Sequence, residues 1–171
     1  MTHTENILSD CDDLHPIDIV EHIAEHHEWD FDRVNDDQIA MAVEGQWRTY
    51  SITLAWSGYD ETLRLISTFE MEPPKDRLPA IYETLNRAND MCWAGAFTYW
   101  EEQRLMVYRY GLVMGQDQIV APDQVNRLIS FAVSTSERFY PAFQLVAWSE
   151  DPIVTPKEAM NVAIGEAYGR A

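Results

Sequence analysis

A chain of 171 residues, 46% hydrophobic and with six tryptophans, has enough apolar material for one packed domain and is not a disordered chain. Lys plus Arg number 12 against 29 Asp plus Glu; the net charge of −17 repels phosphate backbones and anionic lipid, which disfavours nucleic acid and membranes as partners. Two cysteines make no disulfide framework, and no basic-then-apolar leader or apolar run of about 18 residues occurs, so the expected location is cytoplasmic.

Residues 1–15 are expected to form a flexible acidic tail, carrying Glu5, Asp10, Asp12 and Asp13, with residues 16–171 as a single domain. Pro16, tolerated in a first turn, opens a helix predicted to about Trp29; Ile19, Val20, Ile23 and Ala24 form its apolar stripe, with His27 on the same side. A strand pair follows: Phe31–Val34 leads through the turn Asn35-Asp36-Asp37 into Ile39, Met41 and Val43, which alternate inward before Gly45. In 47–57, Tyr50, Ile52, Leu54 and Trp56 alternate with Thr49, Ser51, Thr53 and Ala55. In 62–71, Leu63, Leu65, Phe69 and Met71 alternate with Thr62, Arg64, Thr68 and Glu70. This region is read as a three-strand antiparallel meander covered on one side only.

Pro73-Pro74 ends the meander. A second helix is predicted from about Asp76 to Cys92, with Leu78, Ile81, Leu85, Ala88 and Cys92 on one stripe and Pro79 in its first turn. The stretch Ala94–Met114 then reads as a hairpin around Glu101-Glu102-Gln103-Arg104, without the Asn-Gly or Asp-Gly signal that would fix its turn. With Glu102 and Gln103 as the loop, one face carries Phe97, Tyr99, Met106, Tyr108 and Tyr110. The other carries Ala96, Thr98, Trp100, Leu105, Val107 and Arg109. Neither is a water face, so both need cover, from the chain's own helices or from a second copy.

A long helix follows from Ala121-Pro122-Asp123, which Pro141 is expected to kink or interrupt. Thr155-Pro156-Lys157-Glu158 is a capping box that opens a last helix, to about Tyr168, burying Met160, Ala163, Ile164 and Ala167. The resulting fold class is α+β, a five-stranded antiparallel sheet with helices packed on it, in the order α-β-β-β-α-β-β-α-α.

The motif with the most chemical content is His22-Ile23-Ala24-Glu25-His26, which matches H-x-x-E-H. On a helix its histidines lie one turn apart, and His22, Glu25 and His26 give the alternative reading of a zinc hydrolase. That reading needs a third ligand, which no downstream context supplies, and an amphipathic helix with a polar face explains the same residues. Asp36/Asp37 and Glu101/Glu102 fall in turns, where solvated carboxylates are the rule. Cys92 sits on an apolar stripe, as a small core residue does. Arg109, among Trp100 and Val107, must meet a carboxylate, carbonyls or water, because an unpaired buried charge is very costly. The residues offered as a binding or dimer surface are Phe97, Tyr99, Trp100, Tyr108, Arg109 and Tyr110.

Several segments resemble the YbjN family, whose members carry the label of bacterial sensory transduction regulators. They are Trp29–Arg33, Gly45–Tyr50, Leu85–Asn89, Trp93–Trp100, Glu137–Gln144 and Glu158-Ala159 with Gly169–Ala171, in order along nearly the whole chain. The resemblance implies the fold of type III secretion chaperones, small acidic dimers that bind an extended partner segment, and it brings no catalytic residues. The expectation is a non-enzymatic, chaperone-like or regulatory protein-binding module, homodimeric, with a protein partner that the acidic surface favours being basic, and with no cofactor. A small-molecule sensor using the crevice between sheet and helices is a further alternative.

Overall fold

The computed structural model describes residues 15–115 and 119–168. The expected acidic tail therefore lies outside the described residues, apart from His15. That residue belongs to the fold: its ring accepts the N–H of Ile17 at 3.2 Å and approaches Asp37 at 2.9 Å.

Helix α1 spans Pro16–His26, with Ile17, Ile19, Val20, Ile23 and Ala24 buried. It stops short of Trp29 because Glu28 takes a left-handed φ of 57° and the N–H of Trp29 returns to the carbonyl of Ala24 at 3.0 Å. Six antiparallel strands follow: β1 (Asp30–Asn35), β2 (Gln38–Glu44), β3 (Thr49–Ser57), β4 (Thr62–Glu70), β5 (Ala96–Trp100) and β6 (Leu105–Val113), in the spatial order β1-β2-β3-β4-β6-β5. The expected count of five is corrected to six. The segment around Phe31 is a strand in its own right, paired to β2 from Asp30↔Ala42 to Asn35↔Gln38. Two local devices hold this charged edge strand. The Asn35 side chain accepts the N–H of Asp37 at 2.9 Å, closing the turn. Arg33 donates to the carbonyls of Asn35 and Asp36 and to the Glu21 carboxylate, and pairs with Asp18 on α1.

Helix α2 spans Leu78–Asp90, shorter than predicted at both ends; a 3₁₀ turn, Lys75–Arg77, precedes it. Beyond it, Met91 and Cys92 tighten onto the carbonyls of Ala88 and Asn89. Helix α3 runs unbroken over Pro122–Trp148 with Pro141 inside, so the expected interruption does not occur. A mid-helix proline costs about 3 kcal/mol. Phe139, Ala142 and Phe143 flank it with no exposed surface, and each large buried ring returns roughly 1.5–3 kcal/mol. Helix α4 (Pro156–Tyr168) starts from the predicted box, with Thr155 N–H donating to Glu158 at 2.9 Å and Glu158 N–H to the Thr155 hydroxyl at 3.3 Å.

The buried apolar side chains of all four helices join those of the sheet in one core, with a ring cluster of Phe97, Tyr108, Phe139 and Phe143 at centroid distances of 5.2–5.7 Å. On the strands this core draws on one parity alone: Ile39, Met41, Val43, Tyr50, Ile52, Leu54, Leu63, Leu65, Phe69, Phe97, Met106 and Tyr108. The helices therefore cover one face of the sheet, and among the described residues nothing layers the other.

Candidate interaction surface

The uncovered face is a grid fixed by strand register. One row runs Asp32, Ala40, Thr53, Ile66, Arg109, Ala96 across all six strands; the next runs Asp30, Ala42, Ser51, Thr68, Val107, Thr98. A third carries Gln38, Ala55, Arg64 and Gly111, and at the opposite end Glu70, Leu105 and Trp100 align. The β1–β3 half is thus mostly alanine, serine and threonine, with Gln38, Glu44 and two aspartates around them. The β4–β6 half carries isoleucine, valine, leucine and tryptophan with two arginines, Glu70, Thr68 and Thr98. Its centre is a shallow cleft of about 380 Å³ over Ile66, Thr98, Arg64 and Arg109.

The hairpin turn is the four residues 101–104, with Arg104 at a φ of 56°, and not Glu102-Gln103 alone. Pairings Phe97↔Tyr108 and Tyr99↔Met106 give the two faces that alternation predicts. Those faces divide the six proposed surface residues. Phe97 and Tyr108, 4% and 1% exposed, are core, which corrects their assignment to a surface. Burial pushes the Tyr108 phenol up to about 12, and its hydroxyl donates to the carbonyl of Ala94. Tyr99 is half-buried on the same side, donating to the carbonyl of Met71 at 2.8 Å. Tyr110 lines a second cleft of about 270 Å³ with Leu112, Leu128 and Phe131, between the far end of β6 and α3. This sheet–helix crevice falls below the roughly 300–1,000 Å³ typical of ligand pockets. Trp100 and Arg109 stand on the uncovered face, Trp100 half-buried and Arg109 exposed. Arg109 lies on an interior strand between Ile66 and Ala96, with water as its available partner on the exposed side.

Side chains occupy part of the sheet edges. At β5, the amide of Asn89 donates to the carbonyl of Phe97 at 3.0 Å and accepts its N–H at 2.7 Å, imitating the next strand at that residue. At β1, Arg33 donates to the carbonyls of Asn35, the last residue of the strand, and of Asp36 in the turn.

Sequence reasoning missed a carboxylate that ties α3 to the sheet. Glu137 accepts the Tyr50 hydroxyl at 2.7 Å and the N–H of Trp47 at 3.2 Å. Burial, then the bond to Glu137, pushes the Tyr50 phenol well above its ordinary range. Gly45 is required at this junction, since a Cβ there would collide with the Glu137 carboxylate and lie 2.6 Å from the Tyr50 ring. The available signal was Glu137 in the middle of an otherwise apolar helical stripe.

The H-x-x-E-H residues do not converge. His22 shares its Nδ1 with the carbonyl of Asp18 at 2.7 Å, and among the described residues no group of three metal-binding side chains forms. The nearby His27 stacks on Trp29 at 4.4 Å and bonds Asn126 at 2.9 Å. Cys92 packs half-buried against the core; burial pushes its thiol up and Arg138 partly offsets this, which disfavours the thiolate.

Comparison with known proteins identifies a family and a similar solved structure. The family model YbjN, described as "Putative bacterial sensory transduction regulator", matches residues 16–145. The chain also superposes on "Crystal structure of YbjN, a putative transcription regulator from E. coli" with a TM-score of 0.51 and 10% identity, covering 89% of this chain and 94% of that one. At that identity the likeness is one of fold. No curated protein matches the sequence.

Proposed function

We propose a function for a chain that belongs to the YbjN family: it is a non-enzymatic regulatory module that works by binding protein through the uncovered face of its sheet. The observation that supports this reading is the composition of that face. A one-sided sheet ordinarily turns a polar surface to water. Here Ile66, Leu105 and Trp100, each half-buried, stand together on the side that no described helix covers, around Val107, which has no exposed surface. Asn89 occupies the backbone of Phe97 in the middle of β5, which opposes strand addition at that edge and favours face-on contact. The module is dimeric and chaperone-like in that it shields apolar segments of other proteins. Its net charge of −17 favours basic protein partners and opposes nucleic acid.

A photo-reactive side chain at position 51, in the middle of the uncovered face, tests this in living cells against the same probe at position 161 on α4. Covalent protein adducts confined to position 51 are the expected result. Adducts at 161 with none at 51 would move the docking surface to the helical side and end this reading.

A further inference from the structure

We infer that the occupant of the uncovered face is a second copy of this chain, packed about a two-fold axis parallel to the strands between β3 and β4. The inference rests on the reading of that face as a docking surface and specifies its partner as the second copy, which leaves basic proteins to meet the dimer on the acidic surface outside this face. The rows are self-complementary. Such an axis exchanges β1 with β5, β2 with β6 and β3 with β4 while keeping each row level. Arg109 then lies over Ala40 of the second copy, whose Asp32 is one strand further out, about 4.8 Å away and within reach of an arginine. In the same row Ile66 lies over Thr53, and in the next Val107 lies over Ala42. In the central row a large side chain of one half meets a small one of the other, and Arg109 meets the acidic border, twice by symmetry. An axis perpendicular to the strands and running along this row would instead stack Arg109 on Arg109 and Asp32 on Asp32, which like-charge repulsion opposes.

The size of the face agrees. Six strands about 4.8 Å apart and four rows about 6.8 Å apart cover roughly 600–700 Å² per copy. Two such faces bury on the order of 1,300 Å², within the range of about 1,200–2,000 Å² of stable protein interfaces. Arg109 is exposed in the middle of this sheet and forms no ion pair among the described residues, while Asp32 is equally exposed on β1. Each therefore has its charge to offer.

Sedimentation of the full chain over a concentration series, with Arg109→Asp, Asp32→Arg and the two combined, tests the arrangement. Wild type is expected to be a dimer at tens of micromolar. Each single substitution should weaken dimerisation roughly tenfold or more, since it places like charges together at two symmetric positions, and the combined swap should restore most of the loss. Circular dichroism verifies that the exposed substitutions leave the fold intact. A monomeric wild type refutes the second copy as occupant, and a dimer that ignores both substitutions refutes this face and axis. The docking-surface reading fails separately, through the cross-linking at position 51: a monomer that still forms adducts there with another protein overturns only the proposal made here.

Discussion

The junction of Glu137 with Tyr50 and Trp47 can be tested by removing one partner at a time. Tyr50→Phe deletes the hydroxyl at 2.7 Å from the carboxylate and leaves Glu137 with the single N–H of Trp47 at 3.2 Å. A hydrogen bond to a charged group contributes about 1.5–3 kcal/mol, and part of that carboxylate has lost water to the Tyr50 ring and the Gly45 turn. Glu137→Gln keeps the size and the Oε1 acceptor but removes the charge, at an expected cost of about 1–2 kcal/mol. For a chain of this length each kcal/mol moves Tm by about 2–4 °C, so Tyr50→Phe should lower it by roughly 3–12 °C. The two changes act on the same bond and cannot add. A double-mutant cycle by urea unfolding should return a coupling of about 1–2 kcal/mol. Additivity within about 0.3 kcal/mol would show that Tyr50 and Glu137 stabilise the fold independently, and the account of this junction would be wrong.

Two further outcomes follow from the same geometry. Asn89→Ala unseals β5, so the amide of Phe97 should lose protection from hydrogen exchange and the protein should form higher oligomers on warming; unchanged exchange at Phe97 would refute the strand-mimic role. The phenols of Tyr50 and Tyr108 are both raised above the unfolded value of about 10, so the folded state holds their protons longer than the unfolded chain. Stability is accordingly complete below about pH 10 and declines as pH rises toward 12, and phenolate absorbance should show these two tyrosines ionising together with loss of circular dichroism. Reversible ionisation of all eight tyrosines near pH 10 with the fold intact would contradict their burial.

The alternation in residues 47–71 and 96–110 was enough to locate four strands and sort their faces, because a period of two leaves only one way to bury Tyr50, Ile52, Leu54, Leu63, Leu65 and Phe69. The first strand was not counted because Asp30, Asp32 and Arg33 are edge-strand charges and blur that period, and its pairing depends on contacts to Asp18 and Glu21 on α1 that local sequence does not display. Pro141 misled for a related reason: a breaker is judged locally, whereas Phe139 and Phe143 hold the helix from across the core. The hairpin aromatics were recognised as a cluster, but which of the two faces the helices cover depends on packing at long range. Arg109 was marked as out of place with its neighbours, and the fold sharpens that observation.

The treatment of the other arginines bears on what Arg109 does. Arg33 is matched to Asp18 and Glu21, Arg64 to Asp60, Arg87 to Glu83, Arg104 to Glu72 and Arg127 to Asp123. Arg48 donates to the carbonyl of Glu70 beneath two aromatic rings, Arg77 donates to the carbonyl of Ser149, and Arg138 lies over Phe139. A chain with 29 acidic residues has carboxylates to spare for every cation, yet Arg109 stands between Ile66 and Ala96 with none among the described residues. Within the sheet its row offers the nearest acid only at β1, four strands away or about 19 Å, beyond the span of any side chain. Folding the sheet onto a second copy shortens that separation to about 11 Å, one strand spacing sideways and one sheet spacing across, which an arginine and an aspartate span together. A guanidinium with no acidic partner among the described residues is thus what the two-fold arrangement connects, and the same step brings Ile66 against threonine.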